Sequence, residues 1–196
     1  MTFAEIKAIL ASKTVGIAGA GGLGSNCASA LVRTGIGKII IADFDIIEES
    51  NLNRQFYFKT QIGMKKAIAI KENLLFINPD AQIENHDTFL TPENIPEIFN
   101  NCDVIVEAFD KADQKQMLIE TVLSVWPEKP LVIGLGMAGF GNSNTLKMHQ
   151  SGKLYICGDE HTEISEDLPP IAPRVGMVAN MQANTVLEIL LNKEID

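Results

Sequence analysis

The chain has 196 residues, of which 46% are apolar and 21% charged, and its 16 basic against 25 acidic side chains leave a formal charge of −9. This length predicts about one compact domain, single from residue 1 to 196, that buries roughly 70% of its unfolded surface without staples. An acidic balance argues against nucleic acid as partner, and three cysteines with no CxxC pair argue for a reducing, cytoplasmic setting. The N-terminus lacks a basic region followed by an apolar block, so no export signal is expected. The longest uncharged apolar stretch, Leu131 to Gly141, holds 11 residues and four glycines. A membrane span needs about 20.

Thr2-Phe3-Ala4-Glu5 reads as a capping box opening a short helix. Thr14 to Ala18 is β-rich and ends in glycines, and Gly22 to Thr34 has helical periodicity stopped by Gly35-Ile36-Gly37. Lys38 to Ala42 is a continuous apolar run of the kind buried on both faces of a parallel sheet. Lys65 to Ile77 predicts a helix closed by Asn78-Pro79, Ala81 to His86 a strand, Thr91 to Asn100 a capped helix and Asp103 to Ala108 another buried strand. Asp113 to Val125 and Pro130 to Gly136 follow as helix and strand. This alternation predicts an α/β, doubly wound, mainly parallel sheet, with its nucleotide-binding core over about 13–141. From about 142 the pattern changes to a hairpin, Thr145 to Gln150 and Lys153 to Cys157, an antiparallel extension. A polar loop, Gly158 to Pro173, leads to a closing amphipathic helix over Val175 to Asn192.

Gly19-Ala20-Gly21-Gly22-Leu23-Gly24 matches GxGxxG between a strand and a helix. The glycines permit a tight turn and close approach of the backbone to a phosphate chain, which the helix N-terminus then attracts. Asp43 ends the next strand, 19 residues beyond Gly24, where a carboxylate accepts from ribose hydroxyls. Together these predict a Rossmann-like nucleotide site. Asp45, two residues on, is expected to point to the opposite side and to support the loop. His86, His149 and His161 read as surface or loop histidines.

The segment from Asp43 to Phe56, DFDIIEESNLNRQF, together with GAGGLGS, resembles the ThiF/MoeB adenylyltransferases, relatives of the ubiquitin-activating enzymes. The resemblance runs from about Lys13 to the C-terminus, through Gly63-Met64-Lys65-Lys66, Ile77-Asn78-Pro79, Val106 to Asp110 and the closing Pro173 to Ala183. It implies activation of the C-terminal glycine of a small ubiquitin-like sulfur carrier by ATP, and the short form suggests a ThiS-like carrier of thiamine biosynthesis. It implies that the glycine loop holds phosphates and Asp43 the ribose. Asn51, Arg54 and Lys66 would meet the triphosphate, Gln55 would support them, and Asp110 would hold Mg²⁺. Lys65 competes with Lys66 for register, and Asp110 is equally suited to cap the helix after it.

Three departures shape the expectations. Relatives often carry an arginine on an N-terminal arm, whereas here the first arginine is Arg33. The paired CxxC motifs that hold zinc in many relatives are missing, so no zinc is expected. Some relatives use a reactive cysteine in the late crossover loop. Cys157 is the only candidate here, lies closer to where relatives place a zinc ligand, and reads as structural, as do Cys27 and Cys102. A homodimer is the state that the resemblance implies. The rival readings are an NAD-dependent oxidoreductase, which gives no use to Asn51, Arg54, Lys66 and Asp110, and a non-catalytic nucleotide-dependent scaffold.

Overall fold

The computed structural model describes residues 1–191. Seven strands form one sheet in the order β3-β2-β1-β4-β5-β7-β6. The central strands are β1 (Thr14–Ala18), β2 (Lys38–Ala42), β4 (Val104–Glu107) and β5 (Leu131–Gly134). All four bury nearly every residue, as continuous apolar runs require between two helical layers. The edge strand β3 (Gln82–His86) is only partly buried and runs parallel to β2 from Lys38 opposite Gln82 to Ala42 opposite His86.

Helices α2 (Gly22–Thr34), α3 (Lys66–Ile77) and α6 (Ala172–Leu190) cover one face, and the short α4 (Ile95–Phe99) and α5 (Ala112–Val125) cover the other. The first helix, α1 (Phe3–Leu10), opens with the predicted capping box: the Glu5 amide donates to Thr2 Oγ1, and the Thr2 amide donates to Glu5 Oε2 at 2.6 Å. Gly35 closes α2 at φ +93°, a left-handed conformation that glycine adopts at no steric cost.

Two differences from the expected elements have local causes. The helix expected over 91–100 shortens to Ile95–Phe99, because Asn94 Oδ1 accepts the Thr91 amide at 2.8 Å and closes a separate turn first. The final helix begins earlier, at Ala172, with Pro173 in its first turn, where a missing N–H costs nothing. Its predicted end at Asn192 lies outside the described residues.

The hairpin of β6 (Lys147–Ser151) and β7 (Leu154–Gly158) is antiparallel as expected, yet β7 also joins the main sheet. It runs parallel to β5, with Gly134 opposite Cys157, so only β6 opposes the common direction.

Candidate functional site

The strand order reverses at β1: β2 and β3 lie on one side, β4 and β5 on the other. Loops leaving the carboxyl ends of β1 and β4 therefore diverge and open a crevice between them, the usual ligand position in such sheets. A cleft of about 650 Å³ lies there, lined from both sides.

The β1 side is the glycine loop. Gly19 has φ +99°, and a Cβ there would come within 2.9 Å of Ala108 O on the loop after β4. At Gly24 a Cβ would overlap Gly19 O, so any side chain would push α2 off its strand. Gly24 thus serves helix-on-strand clearance rather than the cleft, whereas Gly19, Gly21, Gly22 and Leu23 line it. Gly21 precedes α2 and caps it with no side chain, leaving the first amides of the helix without side-chain acceptors.

Ala20 in the middle of this loop is gripped at both ends. Its amide donates to Asp43 Oδ2 at 2.7 Å, and its carbonyl accepts from the Tyr57 hydroxyl at 2.7 Å. Asp43 Oδ1 accepts the Asp45 amide at 2.8 Å, which sets the carboxylate at the cleft wall. Burial pushes the Asp43 carboxyl above its ordinary value, against the opposing pull of Lys66 and the two amides. Burial also raises the Tyr57 phenol, with the charges of Asp43 and Asp45 adding to it, so the hydroxyl remains a donor.

Asp45 corrects the expectation that it would point away. It lines the cleft and pairs with Lys66 Nζ at 2.8 Å. The chain leaves strand geometry after Ala42, so strand alternation no longer sets direction there. Lys66 is buried at the start of α3 and lines the cleft. Lys65 instead caps that helix from outside, pairing with Asp87 at 3.3 Å and donating to Phe44 O.

Arg54 and Gln55 follow a 3-10 turn over Glu49–Asn53 and line the same cleft. Asn26 Nδ2 donates to Arg54 O at 2.9 Å and to Gly22 O at 2.7 Å. Ser25 Oγ donates to Gly21 O and accepts the Phe56 amide at 3.0 Å, so α2 fixes this segment against the glycine loop. Arg54 itself is held by Asn53 Oδ1 at 2.8 Å and Ser50 O at 3.2 Å. Gln55 is buried, and its Oε1 has no hydrogen-bond partner, an unmet acceptor at the cleft wall.

Asn51, like Gly24, is a predicted site residue that does not line the cleft. Its Oδ1 accepts the Glu48 amide at 3.1 Å, which closes its own 3-10 turn. Asp110, exposed on the loop after β4, does line the cleft. It does not cap α5, whose N-cap residue is Lys111 and which has no side-chain cap bond.

Mg²⁺ uses one or two carboxylates and fills its remaining positions with water and phosphate oxygens. Asp110, with Asp113 on the same wall, fits that donor set. Among the described residues no three of His, Cys, Asp and Glu converge to supply a complete protein cage.

Sequence reasoning missed Tyr57, Glu107 and Lys115. Lys115 lines the cleft and pairs with the fully buried Glu107 at 2.7 Å. An acid inside the apolar run Asp103 to Ala108 was the available signal, since a buried charge demands a partner. Across the molecule, Arg174 at the start of α6 is buried against Asp159, and also donates to Gly141 O at 2.6 Å. This pair ties together the two ends of the loop from Gly158 to Pro173, whose Ile164 and Pro170 reach the cleft.

Cys157 is fully buried and lies 3.6 Å from Thr185 Oγ1. Burial, rather than the neighbouring Asp159 and Glu160, pushes its thiol up to about 11. Cys102 is pushed up to about 12 by burial, and Cys27 higher still.

A doubly wound sheet with a glycine loop, an acid closing the second strand and a basic pair beside them defines a nucleotide-binding α/β protein. The model of the ThiF family matches residues 3–196, and the chain belongs to that family, the ThiF/MoeB-type adenylyltransferases. It is 41% identical over 112 residues to ubiquitin-like modifier-activating enzyme 5 of Caenorhabditis briggsae, covering 57% of this chain and 24% of the relative. It is 30% identical over 192 residues to adenylyltransferase and sulfurtransferase MOCS3 of Dictyostelium discoideum, covering 94% of this chain and 44% of the relative. The chain thus spans less than half the length of these curated relatives. Its fold is that of E. coli tRNA N6-threonylcarbamoyladenosine dehydratase, TcdA, solved in complex with AMP. The TM-score is 0.86 at 21% identity, over 96% of this chain and 90% of that one. No helix among the described residues is long and apolar enough to cross a membrane.

Proposed function

We propose that the chain adenylates the C-terminal glycine of a small ubiquitin-like sulfur carrier protein ending in Gly-Gly, using Mg²⁺ and ATP in the cytoplasm, as a homodimer. The observation that carries this reading is the meeting of Arg54, Gln55, Lys66 and Asp110 in one cleft with the glycine loop and Asp43. In the reaction a carboxylate oxygen of the carrier attacks the α-phosphorus of ATP, the bond to the β-phosphate oxygen breaks, and pyrophosphate leaves.

The carboxylate is already a competent nucleophile, so the work is alignment and charge stabilisation rather than proton removal. Asp43 receives the ribose hydroxyls, while the α2 amides and the glycine loop receive phosphate oxygens. Arg54 and Lys66 stand beside the glycine loop and Asp43 to take up charge that moves onto the leaving group. For Lys66 this means exchanging part of its pairing with Asp45 for phosphate. Asp110 and Asp113 would hold Mg²⁺, which supplies charge neutralisation of the triphosphate.

The named relatives support a ubiquitin-like partner, since one is a ubiquitin-like modifier-activating enzyme and another an adenylyltransferase and sulfurtransferase. The fold neighbour TcdA is named for a tRNA modification. A formal charge of −9 favours a protein carrier over a polyanion. Among such carriers, a ThiS-like protein of thiamine biosynthesis is the proposed partner.

The test is exchange of radiolabelled pyrophosphate into ATP with Mg²⁺, with and without a Gly-Gly carrier. Carrier-dependent exchange is the expected result. ATP binding with no exchange on any carrier would overturn the adenylation reading in favour of a nucleotide-dependent scaffold.

A further inference from the structure

Lys115 looks at first like a third phosphate ligand, because it lines the cleft and carries a full charge. Its protons are already committed. Nζ donates to Glu107 Oε1 at 3.0 Å, to Glu107 Oε2 at 2.7 Å and to Gly134 O at 2.9 Å, which uses all three. The ammonium therefore ties α5 to the ends of β4 and β5 instead of reaching for a ligand.

Glu107 is fully buried, and Oε1 makes one bond besides those to Lys115: it accepts the Phe109 amide at 2.6 Å. Phe109 immediately precedes Asp110, so this bond fixes the Ala108–Phe109 peptide, one residue before the Asp110 carboxylate. Nothing else does so from a side chain: Asp110 itself has no hydrogen bond to any described residue, and α5 has no side-chain cap. On the backbone side, Gln182 Nε2 donates to Glu107 O at 2.9 Å, which locks the end of β4 to α6.

We propose that Glu107, braced by Lys115, is a positioning residue that sets Asp110 for its divalent cation by holding the Phe109 N–H. This rests on the adenylation reading of the cleft, in which Asp110 meets the metal. The step from brace to metal is short, one peptide, and partners that orient a metal ligand are worth about 10–100-fold in metal affinity.

Two double variants separate this role from simple packing. Glu107→Leu with Lys115→Met removes both charges and the acceptor for Phe109, while replacing a buried pair with apolar groups often preserves stability. Glu107→Gln with Lys115→Met also removes both charges but keeps an amide oxygen for the Phe109 N–H. Binding of Mn²⁺ to the ATP complex, followed by electron paramagnetic resonance, reads the metal directly and without turnover.

The Leu–Met pair is expected to weaken Mn²⁺ about tenfold or more, whereas the Gln–Met pair stays within about threefold of the native protein. Metal-free ATP affinity stays within about threefold in both, because the glycine loop and Asp43 are untouched. Equal Mn²⁺ binding by the two variants would overturn the inference while leaving the adenylation reading intact. A native protein that binds neither ATP nor Mn²⁺ would overturn that reading and the inference with it. Should the Leu–Met pair fail to fold, exchange of the Phe109 amide in the native protein decides: protection supports the brace, and exchange at the rate of an open loop overturns it.

Discussion

The two walls of the cleft are built on opposite plans. On the β1–β2 wall the acids, Lys66 and the loop peptide are already paired, although Gln55 Oε1 and the first α2 amides are not: Asp43 accepts two amides, Lys66 meets Asp45, and the Ala20 peptide is held at both ends. On the β4–β5 wall Asp110 stands exposed on its loop, and the pairing lies one layer deeper, between Glu107 and Lys115. The first wall is a rigid mould whose charges are balanced before any ligand arrives. The second offers an unspent carboxylate on a braced loop, where an arriving cation displaces little protein pairing. On the proposed function, preorganisation for the nucleoside and availability for the metal are thus separate properties of one crevice.

The variant Asp110→Ala probes that contrast hardest. It should lower Mg²⁺-dependent pyrophosphate exchange by about a thousandfold, the scale of losing a main electrostatic contact in the transition state. The melting temperature, followed by circular dichroism, should stay unchanged, because the carboxylate pairs with no described residue. A large fall in melting temperature would break the comparison, placing Asp110 in the scaffold. Next comes Arg54→Ala, expected to reduce kcat about a hundredfold with a smaller rise in KM for ATP, if its contact strengthens as charge moves to the leaving group. Steady-state kinetics give the split, and an effect on KM alone would make Arg54 a binding residue of the rigid wall.

Acidification gives a subtler separation. Burial raises Asp43 above 3.8, so it takes up a proton at higher pH in the folded than in the unfolded chain. Its charge costs stability at neutral pH, and that cost disappears as pH falls through its raised value. Asp159 behaves oppositely: burial alone would raise it, but the Thr162 and His161 amides, the Thr162 hydroxyl and Arg174 hold it below 3.8. Its contribution to stability is present above 3.8 and is lost only as pH falls through that lowered value. Nucleotide affinity should therefore decline before the fold does, with calorimetric titration of ATP compared against near-ultraviolet circular dichroism. Coincident losses would show that the mould and the scaffold titrate together. The smallest effect belongs to Cys157→Ser, which should leave exchange unchanged and cost stability about 1 kcal/mol, through placing a hydroxyl among apolar neighbours. Any loss of exchange in a folded variant would implicate this strand end in the site.

What was legible in the sequence was whatever is encoded locally. The glycine loop and Asp43 follow from a strand, a tight turn and a helix within about 30 residues, and the parallel core follows from runs such as Lys38–Ala42. The register between Lys65 and Lys66 was a one-residue ambiguity that only helix α3 resolves, by turning Lys66 inward. Pairings between distant segments carried no such mark. Asp45 and Lys66 are 21 residues apart, and Tyr57 reaches Ala20 across 37. Asn51 was placed by its motif, but its side chain closes a turn that propensity did not reveal. The parallel pairing of β7 with β5 was likewise invisible, because a hairpin pattern describes only its own two strands.

The burial of Cys27, Cys102 and Cys157 has a consequence for the division of chemical labour. Each thiol is shielded and held protonated at neutral pH, so the chain has no ready sulfur nucleophile of its own. On the proposed function, it would make an acyl phosphate anhydride that none of these three thiols is poised to intercept. Any sulfur replacing AMP on the activated glycine would then be delivered by a thiol or persulfide other than these three. The mixed anhydride would either wait, sheltered from water, or be passed on quickly, and a protein that donates sulfur would reach the same cleft mouth from outside.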